Sequence, residues 1–423
     1  MIDLLLPFLM LGILLAAVLA RPLARVSWLS LPVVLMLAGF LASEAWVALG
    51  RDTGLRWEIL RDLVFYLLLP ILIFEAAITV RIRAFRTEWV LIGALAVPLL
   101  LVAAFAAAAM VMILMESELD GAWAVALMIG AMICATDPTS VSGVTGPGGA
   151  LSRTDNILEG ESLINDATTI TLFVMLSAYL AMPGDAISPW WIAGRFVLTL
   201  IGGALLGVAL GWAFDRIIAP ANDKVLTAAT TLVLAFTSFW IGEHLLGLSG
   251  VVATVTAGLT VAWRQRIHRR EADIAFALDS WRVFGFCAHA ILFFLVGMSI
   301  TLQMFVDHWP AMLIGIFAAL ASRFLIVFGA LGPLSWLPGV ERLDLREQNL
   351  LWWGGIRGAV AIALALSLSV DLPNWYLVQS TVYGVALFSL VFQAPLVPWL
   401  QRRMQPGRVR RGSGEPGEEA ASG

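Results

Sequence analysis

The sequence predicts an all-α polytopic membrane protein with about thirteen transmembrane helices. Three observations lead there. Of the 423 residues, 60% are hydrophobic and only 13% charged. Mean hydropathy is +0.90. Apolar runs of bilayer-crossing length recur as far as residue 400. A soluble domain carries about 25% charged residues, and a water-soluble fold of this size could not hide so much apolar surface. The spans must be helices, because an open sheet edge leaves backbone groups unpaired in lipid and a barrel would alternate with period two.

In chain order the runs fall at 2–20, 29–49, 62–80, 89–115, 121–141, 157–182, 190–214, 225–245, 249–263, 283–302, 309–331, 350–370 and 375–400. Most reach the roughly 20 residues that cross about 30 Å of hydrocarbon; the ninth is short. The first run ends Ala17-Val18-Leu19-Ala20, like a secretion signal, but no Lys or Arg precedes it and Asp3 sits there instead. It therefore reads as a span. One alternate set of loops carries twenty of the 26 Lys and Arg residues, the other only Arg51, Arg56, Arg61 and Arg195. Basic loops stay cytoplasmic, so the expected topology is N-terminus outside and C-terminus inside, multi-pass in the cell (inner) membrane. Trp89, Trp123, Trp190, Trp191 and Trp375 stand near span ends, where indoles anchor to the interface. Residues 1–400 form one transmembrane domain, and 401–423, rich in Arg, Gly, Glu and Pro, read as a disordered cytoplasmic tail whose basic start serves as a topology signal or meets anionic lipid. The partner in view is membrane lipid, with nothing that asks for nucleic acid. Cys134 and Cys287, each in an apolar run, form neither a disulfide framework nor a metal site.

Charges inside spans are costly and point to function. They are Glu75, Asp137, Glu161, Asp166, Arg323 and Arg357, with His289 a weaker member that also suits a packed, hydrogen-bonded histidine. In span 5, Pro138 disfavours helix at Asp137 and removes a donor, which frees carbonyls such as that of Thr136 beside a carboxylate. A plain proline kink would explain Pro138 but not the acid. Span 6 places Glu161 with Asn165, and Ser162 with Asp166, at i,i+4 on neighbouring stripes. Asp166 lies about 15 Å past Asn156 at 1.5 Å per residue, near mid-bilayer. Ser and Asn alone would read as glue between helices; two carboxylates among them do not. Glu159 lies nearer the cytoplasmic end. Span 12 surrounds Arg357 with Gly354, Gly355 and Gly358, a second breakpoint. Spans 5 and 12 differ by seven and so cross in opposite directions, as the broken helices of two inverted repeats do around a transport site. Arg357 can offset the negative ends of the half-helices or serve as structural glue. Arg323 in span 11 needs an acid; Glu161 is the choice, with Arg357 the competing base. Glu75, close to the Arg81 cluster, can snorkel or line an ion path.

Thr-Asp-Pro at 136–138, Glu-Ser-x-x-Asn-Asp at 161–166 and Gly-Gly-Ile-Arg-Gly at 354–358 resemble the sodium/proton antiporters of the cation:proton antiporter superfamily, in the NhaP-type branch related to the animal sodium/proton exchangers. The resemblance covers about 1–400. It implies that Asp166 carries ion and proton in turn, and that the Thr136 carbonyl, Asp137, Ser162 and Glu75 surround a transported Na⁺, some through water. It also implies a Glu161–Arg323 bridge, a homodimer, and a core of spans 4, 5, 6, 11, 12 and 13 moving against a dimerisation domain. Asn165 before Asp166, rather than a second Asp, resembles the electroneutral branch. No cofactor beyond the transported cation and H⁺ is implied, and the protein is not expected to be an enzyme.

Two rivals remain. A cation-coupled solute symporter would share the inverted-repeat plan but needs a solute pocket. An intramembrane aspartyl enzyme could use Asp137 and Asp166, but the Gly-x-Gly-Asp signature is absent, and Ser142 with His289 has no supporting context for a serine protease.

Overall fold

The computed structural model of the chain describes residues 12–22, 30–50, 57–119, 122–137, 153–181, 189–218, 223–268, 271–336 and 340–404. Every regular element among them is helical. We label the main ones α1 (Gly12–Pro22), α2 (Leu31–Ala48), α3 (Trp57–Thr79), α4 (Trp89–Leu114), α5 (Trp123–Cys134), α6 (Arg153–Leu180), α7 (Pro189–Ile218), α8 (Lys224–Leu245), α9 (Gly250–His268), α10 (Glu271–Ser299), α11 (Leu302–Leu334), α12 (Leu345–Trp353), α13 (Ala359–Leu366) and α14 (Trp375–Gln401). Among the described residues nine helices are long and apolar enough to cross a membrane, while α1 and α5 are shorter apolar helices.

Boundaries differ from the sequence reading where local chemistry decides them. The ninth run, read as short, is a 19-residue helix, because α9 continues into polar residues that a hydropathy run cannot see. α6 starts at Arg153 rather than 157. Its first residue ties three elements together: Arg153 Nε donates to Glu88 Oε1 at 2.7 Å, and Nη2 to the Glu341 carbonyl at 2.8 Å. The last helical turn reaches Met404, four residues into the segment read as tail; residues 405–423 lie outside the described set, as do Pro138 and the residues up to 141 that end span 5.

The helices pack as two groups. α4, α5, α6, α11, α12, α13 and α14 surround one another, and α2, α3, α7, α8, α9 and α10 form the other cluster. In the second group, α7 and α9 touch most closely. A Cβ at Gly207 would lie 2.1 Å from the Ala253 carbonyl oxygen, so only glycine permits this approach, and small residues are what let helices associate tightly in lipid. α6 is the main seam between the groups, facing α3, α7 and α9.

Candidate functional site

The site forms where two helices stop inside the first group. α5 ends at Cys134, and Ala135 turns extended (φ −60°, ψ 132°). α12 ends at Trp353 and α13 begins at Ala359, leaving 354–358 unwound. The two breaks pair with each other. Asp137 N–H donates to the Ile356 carbonyl at 2.7 Å, and Asp137 Oδ2 accepts from Ala359 N–H at 3.0 Å, a carboxylate at a helix N-terminus where the dipole favours negative charge. A Cβ on Gly358 would sit 2.1 Å from that oxygen, so the glycine is what lets Asp137 reach the helix end.

A helix end leaves its last carbonyls without partners, and side chains supply them here. Arg357 Nε donates to Ile133 O at 2.7 Å, its Nη2 to Ala319 O at 3.1 Å and its Nη1 to Gly355 O. Asn165 Nδ2 donates to Cys134 O at 3.3 Å and to Thr136 Oγ1 at 3.2 Å. Ser162 Oγ donates to Thr136 O at 2.6 Å. A carbonyl oxygen has two lone pairs, so Thr136 O keeps one for a further partner. Arg323 makes a bidentate pair with Glu161, Nη2 to Oε2 at 2.7 Å and Nη1 to Oε1, and both its Nε and Nη2 donate to Leu351 O at the end of α12. Of the two arginines, Arg323 is the one on the carboxylate. The void between Glu161, Asn165, Arg323 and Arg357 is about 10 Å³, the size of a single water and far below that of an organic solute.

Asp166 sits on the same helix, one residue beyond Asn165. Among the described residues its Oδ1 is buried and accepts no hydrogen bond, and Asp137 and Glu161 are charges that act on it. Glu75 on α3 packs against Gly285 of α10. His289, Arg282, Asp137 and Glu159 lie within its range, but its side chain is not brought into hydrogen-bond contact with Ser162, Thr136 or Asp166. His289 shares a 2.9 Å hydrogen bond with Gly285 O and stacks on Phe293, a packed histidine.

The profile described as sodium/hydrogen exchanger, transmembrane, matches residues 10–403. The chain belongs to the sodium/hydrogen exchanger family. It is 31% identical over 394 residues to the Na(+)/H(+) antiporter NhaS2 of Synechocystis, covering 93% of this chain and 69% of that protein. It is 30% identical over 349 residues to the Na(+)/H(+) antiporter NhaP of Pseudomonas aeruginosa, covering 80% of each. The fold matches the solved structure of the sodium proton antiporter MjNhaP1 from Methanocaldococcus jannaschii with a TM-score of 0.80 and 18% identity, over 96% of this chain and 99% of that one. The NhaP-type resemblance seen in the motifs thus extends over nearly the whole exchanger chain.

Sequence reasoning missed two features of this exchanger. Ser389 and Gln393, four residues apart on a π-helical turn of α14, brace the second break. Ser389 Oγ accepts from Arg357 N–H at 2.8 Å, and Gln393 Nε2 donates to Trp353 O at 2.7 Å. A polar i,i+4 pair in the second half of the span, apart from Gln379, Ser380 and Thr381 in its first half, was the available signal. Glu243, on a π-helical turn of α8, lines a cavity of about 560 Å³ that also meets Tyr66, Phe173, Ser177 and Asp371. Its place at the very end of a hydropathy run hid it.

Proposed function

We propose that the chain exchanges a monovalent cation, Na⁺ first, for a proton by alternating access, with Asp166 as the shared carrier. The observation that carries this reading is the buried Asp166 Oδ1 that accepts no hydrogen bond, next to the Asn165 and Ser162 that gather the Thr136 end of α5. A carboxylate short of partners favours a proton or a cation, and one carboxylate cannot favour both at once. That competition couples the fluxes. In this reading Thr136 O, Asp137, Ser162 and Glu75 approach the cation directly or through water, while Glu161–Arg323 and Arg357 hold the scaffold. No resident cofactor takes part.

Since Asn165 cannot titrate, the cycle moves one proton per cation and is electroneutral. The working unit is a homodimer in the cell membrane, N-terminus outside and C-terminus in the cytoplasm, with the α4–α6 and α11–α14 group moving against the other. The test is Na⁺-driven proton flux in proteoliposomes under a clamped membrane potential. Wild-type flux should ignore the imposed potential, and Asp166→Asn should abolish flux while the protein stays folded. Flux near wild type in D166N would remove Asp166 from the carrier role. Acceleration by potential would mean a second group titrates, with Asp137 first in line.

A further inference from the structure

Thr171 of α6 and Ser249 at the start of α9 meet across the seam between the two helix groups. Their hydroxyl oxygens are 2.7 Å apart, and both residues are buried. The proton directions follow from counting. Thr171 Oγ1 has one proton and donates it to Ala167 O at 2.7 Å, so the shared bond must be donated by Ser249. Ser249 Oγ in turn accepts from Val252 N–H at 3.3 Å as the cap of α9. The chain therefore runs from Ser249 through Thr171 to Ala167, the residue next to Asp166.

Ser249 is firmly held on its own side. Its N–H donates to Thr199 O of α7 at 3.2 Å, and its neighbour Leu248 donates to Gly242 O of α8 at 2.8 Å. Thr171 is fixed to α6, five residues or about 7.5 Å along the axis from Asp166 at 1.5 Å per residue. A cavity of about 240 Å³ is lined by Thr171, Ser249, Thr199 and Val251, and a separate one of about 560 Å³ lies between α3, α6 and α8, where Phe65 and Phe173 stack with centroids 6.3 Å apart. α6 also packs against α3, α7 and α9 of the second group, so any shift of α6 relative to that group strains the Thr171–Ser249 contact. An O–H···O bond survives little more than a few tenths of an ångström of lengthening.

We propose that the Ser249–Thr171 hydrogen bond is a latch that pins the carboxylate-bearing helix to the α7–α9 group and breaks once in every transport cycle. Thr171 and Ser249 are then positioning residues that set how readily Asp166 changes sides. The inference rests on the reading of Asp166 as an alternating carrier.

The test is a T171C/S249C variant in proteoliposomes, read beside wild type and each single variant. Copper–phenanthroline should link the two cysteines, cut Na⁺-driven proton flux at least tenfold and leave the single variants unaffected, with dithiothreitol restoring the flux. T171V, which removes the acceptor while leaving Ser249 as a cap, should raise the maximal rate by about two- to tenfold, the equivalent of one neutral hydrogen bond, with KM for Na⁺ unchanged. A complete crosslink that leaves flux within twofold of the reduced sample overturns the latch, as does failure of the crosslink to form or a T171V rate no higher than wild type. Absence of Na⁺-driven flux in wild type overturns the exchange reading and the latch with it, so the two failures are told apart.

Discussion

Arg323 and Arg357 lie in one buried neighbourhood and are accommodated in opposite ways. Arg323 is paired with a carboxylate, Glu161, and also donates through Nε and Nη2 to the Leu351 carbonyl. Among the described residues Arg357 donates its side-chain N–H groups to backbone carbonyls, those of Ile133, Gly355 and Ala319. The first arrangement neutralises charge with charge. The second draws on the Ile133 carbonyl at the end of α5, where unsatisfied carbonyls carry a partial negative charge, on the Gly355 carbonyl of the unwound break and on the Ala319 carbonyl inside α11. The difference teaches that a broken helix can replace an acid. It also leaves Asp166 Oδ1, near the break, without a hydrogen bond among the described residues.

The comparison breaks first at Glu161. Glu161→Ala strands Arg323 as an unpaired buried charge, an expected loss of about 3–5 kcal/mol. Thermal unfolding in detergent should show it, and a Glu161→Ala, Arg323→Met double variant should recover much of the loss. An E161A protein that melts with wild type would mean that the pair does not stabilise the fold.

Arg357→Lys sharpens the contrast. It keeps the charge but has one ammonium where a guanidinium fork reached three carbonyls. If geometry matters more than charge, stability falls by about 1.5–3 kcal/mol, the range for hydrogen bonds from a charged group. A lysine variant as stable as wild type would show that charge at the helix ends suffices, and the same exchange at Arg323 then provides the control.

The smallest effect is expected at Gly358→Ala. The added Cβ would displace Asp137 from Ala359 N–H, at a cost of about 1 kcal/mol for a lost N-terminal cap. Flux should suffer more than stability, because Asp137 moves. Equal and small effects on both would place Asp137 outside the ion path.

Sequence alone determined the class of this protein, because composition fixes its solvent and lipid permits few backbone solutions. It also marked the two breaks, since Pro138 and the glycines at 354, 355 and 358 act on their own backbone. Within span 6 the i,i+4 rule gathered Glu161, Ser162, Asn165 and Asp166. Which arginine takes Glu161, and that Asp137 caps α13 while Arg357 caps α5, were decided only by tertiary structure. Those partners lie more than 160 residues apart in the chain, and no local pattern encodes which buried donor reaches which acceptor. The same holds for Ser249 and Thr171: each hydroxyl alone is an ordinary residue of an apolar helix, and only the packing of α6 against α9 makes them a pair.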